Sequence, residues 1–94
     1  MHTQITYLAS SYFHQDYDLE ADSPLGVVEL FRESEEPATA QALAAEITTL
    51  LASPDATEDR LAEIWLDEAQ AAYDPRRDGV SVRDWLSQVA GALS

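Results

Sequence analysis

The chain has 94 residues, of which 46% are hydrophobic, which is enough apolar side chain for a single folded domain over residues 1–94. The chain has 18 acidic residues, five arginines and no lysine, so its formal net charge is -13. A surface this negative argues against direct binding to nucleic acids or anionic membranes, and the absence of cysteine excludes disulfides and thiolate metal sites.

The first residues, Met1-His2-Thr3-Gln4, lack the basic region that opens a secretory signal. No stretch of the sequence approaches the roughly 18 apolar residues that a membrane-spanning helix requires. We therefore expect a cytoplasmic protein.

Helical spacing begins near Thr3 and continues to Phe13, with apolar side chains on one face at Ile5, Leu8, Ala9 and Tyr12. The segment from His14 to Asp22 has acidic residues at alternate positions, which indicates a loop. A second helix starts after Asp22 or Ser23, either of which can cap it, because Pro24 fits the first helical turn. Its apolar positions are Leu25, Val27, Val28, Leu30 and Phe31, and it should end near Glu35-Glu36-Pro37.

The alanine-rich segment from Ala38 to Ala52 predicts a third helix, since alanine loses no side-chain entropy on entering a helix. Its buried positions would be Leu43, Ile47, Leu50 and Leu51. Thr57 predicts the start of a fourth helix, which is expected to reach Ala72 and to carry Leu61, Ile64, Trp65 and Glu68 at helical spacing.

Residues 76–79 have the composition of a turn, in which Gly79 can adopt a positive φ. Ser81, followed by Asp84 three residues later, resembles a capping box. A last helix from Val82 to about Leu93 would bury Trp85, Leu86, Val89 and Leu93. The predicted fold is therefore all-α, a compact bundle of about five short amphipathic helices.

Aromatic residues, one histidine and alternating carboxylates occur together between Tyr12 and Glu20. As a calcium loop this run fails, because Ala21 replaces the required glycine and Val27 replaces the closing glutamate. As a catalytic pair, His14 and Asp16 have no nucleophile or phosphate-binding motif to accompany them. We interpret the run as structural, with some partner contact, and predict no catalytic residue, metal or cofactor.

Two further features have structural explanations. Trp65 and Trp85 lie beside apolar residues at helical spacing, which favours core packing over an exposed interface position. The pair Arg76-Arg77 is flanked by Asp74 and Asp78, which favours local ion pairing over phosphate binding.

Four motifs resemble, in order and spacing, one group of contact-dependent growth inhibition immunity proteins. These are an aromatic pair followed by His-Gln-Asp-aromatic-Asp, a Ser-Pro helix start, a Tyr-Asp-Pro turn, and a final helix that begins Ser-x-Arg-Asp-Trp-Leu. The matching residues are Tyr12, Phe13, His14, Gln15, Asp16, Tyr17, Asp18, Ser23-Pro24, Tyr73, Asp74, Pro75 and Ser81 to Leu86, which include Trp85. The resemblance implies a small helical protein, not an enzyme, that binds and neutralises a toxic C-terminal domain delivered by neighbouring bacteria. It also implies that the shared motif residues serve the fold, since partner-facing surfaces diverge.

The charge and the resemblance lead to one hypothesis. An acidic inhibitor can occlude a basic, nuclease-like toxin surface stoichiometrically, with electrostatic steering and a few aromatic anchors. We expect a monomer whose partner-binding carboxylates are Asp16, Asp18, Glu20, Asp22, Glu33, Glu35 and Glu36.

Two other functions fit the charge alone. One is an acidic regulatory adaptor for a basic cellular protein, and the other is a nucleic-acid mimic that sequesters DNA-binding proteins. The solubility that charge confers is a third explanation for the acidity, because net charge does not identify a partner.

Overall fold

The computed structural model describes residues 2–15, 17 and 21–93. Within them the regular structure is helical, as predicted, and no strand occurs in these ranges. The α-helices are α1 (Thr3–Tyr12), α2 (Pro24–Ser34), α3 (Pro37–Leu51), α4 (Glu58–Ala62) and α5 (Val82–Leu93). A π-helical segment, Glu63–Glu68, continues α4, and a 3₁₀ turn, Pro75–Asp78, precedes α5.

Local side-chain caps fix where three of the helices start. The Ser23 hydroxyl accepts a hydrogen bond from the Gly26 N–H at 3.0 Å, so Ser23 rather than Asp22 caps α2. Thr57 accepts from the Arg60 N–H at 3.2 Å, and Ser81 accepts from the Asp84 N–H at 3.0 Å. The three starts therefore follow from hydroxyl side chains that the sequence displays directly.

Helix α5 lies at the centre of the fold, in contact with α2, α3, α4 and the 3₁₀ turn. Its predicted buried residues are all in the core, and Val82 joins them. Helix α1 packs on α2, α3 and the π-helical segment. The Cα radius of gyration is 12.0 Å, close to the roughly 12 Å expected for a single compact domain of this length.

The fourth helix is shorter than predicted and changes its hydrogen-bonding pattern. The α-helical part ends at Ala62, the π-helical part ends at Glu68, and residues 69–74 are not helical. Gln70 has φ 57°, a left-handed conformation that cannot continue a right-handed helix. The segment instead crosses the core, where Ala69 and Tyr73 are buried.

Besides the half-buried Tyr12 and Leu30, three predicted apolar positions are less buried than their spacing suggested. Leu25 is 36% exposed, so the buried stripe of α2 consists of Val27, Val28 and Phe31. Leu50 and Leu51 at the end of α3 are only half-buried. Both departures occur near helix ends, where the neighbouring helices no longer cover the whole apolar face.

Candidate functional site

An aromatic cluster brings the separate sequence motifs together in the core. The Phe13 ring lies 5.4 Å from both Trp65 and Trp85, centroid to centroid, and 5.8 Å from Tyr17. Tyr73 packs edge-on against Trp85 at 4.9 Å. Edge-to-face rings at these separations attract each other beyond their area burial, so the cluster stabilises the packing of α1, the π-helical segment and α5.

Hydrogen bonds tie the same motifs together. The Ala72 N–H donates to the Phe13 carbonyl at 2.8 Å, and the Trp65 indole N–H donates to the Tyr73 carbonyl at 2.8 Å. The Tyr73 hydroxyl donates to the Asp78 carboxylate at 3.2 Å. The motif residues around the Tyr-Asp-Pro turn therefore have internal contacts, and their structural role stays a prediction.

The remaining motif residues lie at the edge of this cluster. Pro75 is buried, His14 is half-buried and Gln15 is exposed. The Asp74 carboxylate bonds the guanidinium of Arg76 at 3.0 Å, and this hydrogen bond holds the pKa of Asp74 below its usual value. The ion pair predicted for this turn is thus present at Arg76.

Several carboxylates accept hydrogen bonds from the main chain of the protein itself. Both oxygens of Glu46 accept backbone N–H groups at the start of α1, from Gln4 at 3.3 Å and Ile5 at 2.7 Å. Glu58 accepts in the same way from Val82 and Arg83 at the start of α5. Free N–H groups at a helix N-terminus attract anions, so these two glutamates act as helix caps from distant parts of the chain.

A different set of carboxylates faces solvent around α2. Asp22, Glu33 and Glu36, which the sequence analysis selected, are exposed, and Glu29 is exposed with them. None of the four side-chain carboxylates has a hydrogen bond or ion pair to another residue in the described part of the chain. The other selected carboxylates Asp16, Asp18 and Glu20 lie outside the described residues.

Glu35 is half-buried and, unlike its exposed neighbours, bonds side chains of α1. Its Oε2 accepts hydrogen bonds from the Tyr7 hydroxyl at 2.9 Å and the Tyr12 hydroxyl at 2.7 Å. Both rings pack edge-on against Phe31, at 5.9 Å and 5.1 Å. Burial, followed by the bond to Glu35, raises the pKa of Tyr12 to about 12, and the bond to Glu35 also raises the pKa of Tyr7.

Three residues on this side of the molecule, Leu25, Glu29 and Tyr7, were not among the predicted site residues, whereas Glu33 was. Leu25, Glu29 and Glu33 are four residues apart in α2, so they share one exposed face. The four-residue spacing is visible in the sequence, but the apolar periodicity of α2 predicts a core position for Leu25, and no role was predicted for Glu29. Tyr7 is the most exposed large apolar residue in the described ranges, with 40% of its surface accessible, and no role was predicted for it.

The described residues hold little that resembles an enzyme site. They contain no group of three histidine or acidic side chains placed to bind a metal ion. A groove of about 540 Å³ is lined by Arg32, Pro37, Ala40, Gln41, Ala44 and Leu93, and arginine is the only titratable residue in this lining. No described helix has the length and apolar character needed to span a membrane. The described residues form a small, acidic, all-helical domain with an exposed set of carboxylates around α2.

Comparison with known proteins identifies the family. The family model described as "CdiI immunity protein" matches residues 2–93, so the chain belongs to the CdiI immunity protein family. As an immunity protein it is an inhibitor of a toxin rather than an enzyme. The family resemblance inferred from the four motifs is thereby confirmed.

A solved structure has the same fold. It is the crystal structure of a CdiA-CT/CdiI complex from Y. kristensenii, with a TM-score of 0.90 and 22% sequence identity. The match covers 99% of this chain and 98% of the chain in that structure. Among curated proteins, none matches the chain significantly.

Proposed function

We propose that this protein binds the C-terminal toxin domain of its cognate CdiA protein in the cytoplasm and neutralises it by stoichiometric occlusion of a basic surface. The family match over residues 2–93 carries the assignment as an immunity protein. The CdiA-CT/CdiI complex formed by a protein of the same fold supports the choice of partner.

The exposed carboxylates around α2 support a basic partner surface. Leu25, Glu29 and Glu33 form one solvent-facing row, and Asp22 and Glu36 flank it at the two ends of the helix. These carboxylates form no side-chain hydrogen bond or ion pair in the described ranges, so binding would not have to break such bonds within the immunity protein. Leu25 lies among these carboxylates and provides apolar surface that a partner can remove from water.

Charge would act mainly on the rate of association. With a net charge of -13, the protein attracts a cationic domain from a distance, which can raise the association rate about 10- to 1000-fold at low salt. The nuclease-like chemistry that we expect of the toxin requires cations that receive phosphates, and an acidic row fits over such a site.

The first experiment tests the partner. The chain would be co-expressed with the toxin domain encoded beside its gene, purified as a complex, and assayed for protection of cells that produce the toxin. We expect a 1:1 complex and protection. A neighbouring gene without a toxin domain, or a toxin that stays active beside a folded chain, would contradict the proposed function.

A second experiment tests the carboxylate row. The double variant Glu29→Gln/Glu33→Gln removes two exposed charges, and its matched control is Asp55→Asn/Asp67→Asn, which removes two exposed charges elsewhere. We expect association with the toxin domain to slow several-fold more in the α2 variant than in the control, measured at low salt by surface plasmon resonance. Equal rates for the two variants would exclude this row from the interface.

A further inference from the structure

Tyr7, Tyr12 and Glu35 form a preorganised group on the surface between α1 and α2. The two hydroxyls converge on one carboxylate oxygen, Glu35 Oε2, and both rings are held in place by Phe31. Glu35 Oε1 has no hydrogen-bond partner among the described residues. The group therefore combines a half-buried carboxylate, held by two hydroxyls, with Tyr7, which is 40% exposed.

The fixed geometry matters for binding energy. A flexible glutamate or tyrosine loses conformational freedom when a partner docks, which costs about 0.5–1.5 kcal/mol for each immobilised side chain. Here the hydroxyl bonds and the packing on Phe31 have already ordered the side chains. Tyrosine is also one of the residues that most often carry binding energy at interfaces.

We propose that this group is an arginine-binding anchor in the interface with the toxin domain. A guanidinium can donate to Glu35 Oε1 while its plane lies over the Tyr7 ring, a combination that the compact lysine ammonium does not match. This inference rests on the proposed function, because the arginine would belong to the toxin domain.

The surrounding charge favours a cationic occupant. Glu36 follows Glu35 in the chain and is exposed, and the protein as a whole is strongly negative. Arg32, the arginine nearest in sequence, lines the groove with Pro37 and Ala40 and has no hydrogen bond or ion pair to Glu35. The cation that binds this group would therefore belong to another protein.

The test measures the affinity of the full-length protein for the toxin domain encoded beside its gene by isothermal titration calorimetry. We expect Tyr7→Ala and Glu35→Gln each to weaken binding on the order of 30-fold, the loss typical of an interface anchor. Tyr7→Phe keeps the ring and should weaken binding by about 5-fold or less, the net value of one hydrogen bond. The control Asp55→Asn removes one exposed charge in the α3–α4 loop and should bind as tightly as the wild type within about 2-fold.

The outcomes separate this inference from the proposed function. If the wild type binds and protects while Tyr7→Ala and Glu35→Gln bind like Asp55→Asn, the anchor is wrong and the immunity function stands. If the wild type does not bind the toxin domain, the proposed function itself fails. Thermal melts of every variant show whether it is folded. If Tyr7→Ala does not fold, Tyr7→Phe carries the test of Tyr7. A loss of affinity well above 5-fold in Tyr7→Phe would assign the binding to the hydroxyl rather than the ring.

Discussion

Some carboxylates in this protein accept hydrogen bonds from other parts of the chain and others face solvent, and the sequence does not distinguish the two kinds. Glu46 and Glu58 cap helices that begin about 40 and 24 residues away along the chain, and Glu35 receives two tyrosine hydroxyls. Glu33 and Glu36, on either side of Glu35, face solvent. The role of each carboxylate follows from the helix that packs beside it.

Two tyrosines should titrate at unusually high pH. Burial, together with hydrogen bonds to carboxylates, raises the pKa of Tyr12 to about 12 and that of Tyr73 to about 12. The unfolded chain loses these protons near pH 10, so the folded state binds more protons between pH 10 and 12 and its stability falls over that range. We expect the absorbance at 295 nm to show late ionisation, and Glu35→Gln to lower the pKa of Tyr12 but not that of Tyr73. Identical titration of both tyrosines in the variant and the wild type would contradict the assignment.

At the scale of the elements, two glycines should respond oppositely to the same substitution. Gly79 ends the 3₁₀ turn with φ 77°, and a Cβ there would meet no neighbour, so Gly79→Ala introduces only backbone strain of about 1–2 kcal/mol. Gly91 lies inside α5, also with no atom near its Cβ position, so Gly91→Ala should stabilise the protein by about 0.5–1 kcal/mol. Urea unfolding followed by tryptophan fluorescence measures both changes. A loss of stability in both variants would show that side-chain packing, not φ, controls these positions.

Helix starts and buried stripes could be predicted from the sequence because their causes are local. Ser23, Thr57 and Ser81 cap their helices through hydroxyls only a few residues from the N–H groups that they accept. The all-α fold followed from the periodicity of the apolar residues.

The end of the fourth helix could not be predicted in the same way. Local preference favours a helix up to Ala72, since residues 66–72 are rich in alanine and other good helix formers. Tertiary contacts override it, because Tyr73 enters the core and the Ala72 N–H donates to the carbonyl of Phe13, directly after α1. The Tyr7–Tyr12–Glu35 group was missed for a related reason, as it joins α1 to the end of α2.

At the scale of the whole molecule, the negative charge is poorly compensated. Arg60 pairs with Glu63 and Glu68, and Arg76 pairs with Asp74. Arg83 instead donates to the main-chain carbonyls of residues 51 and 56. Most carboxylates in the described ranges therefore form no ion pair, and their mutual repulsion opposes the compact state.

This balance predicts that salt acts in opposite directions on stability and on binding. Raising sodium chloride from about 20 to 500 mM shortens the Debye length from roughly 20 Å to about 4 Å. Screening should relieve the repulsion among the carboxylates, so we expect the Tm of the free protein to rise by several degrees. The same screening should slow association with the toxin domain, because the attraction that steers the two proteins together is lost. Differential scanning fluorimetry and stopped-flow association over one salt series measure both effects. A Tm that falls with salt would mean that ion pairs and carboxylate caps outweigh the repulsion, and an association rate independent of salt would remove electrostatic steering from the mechanism.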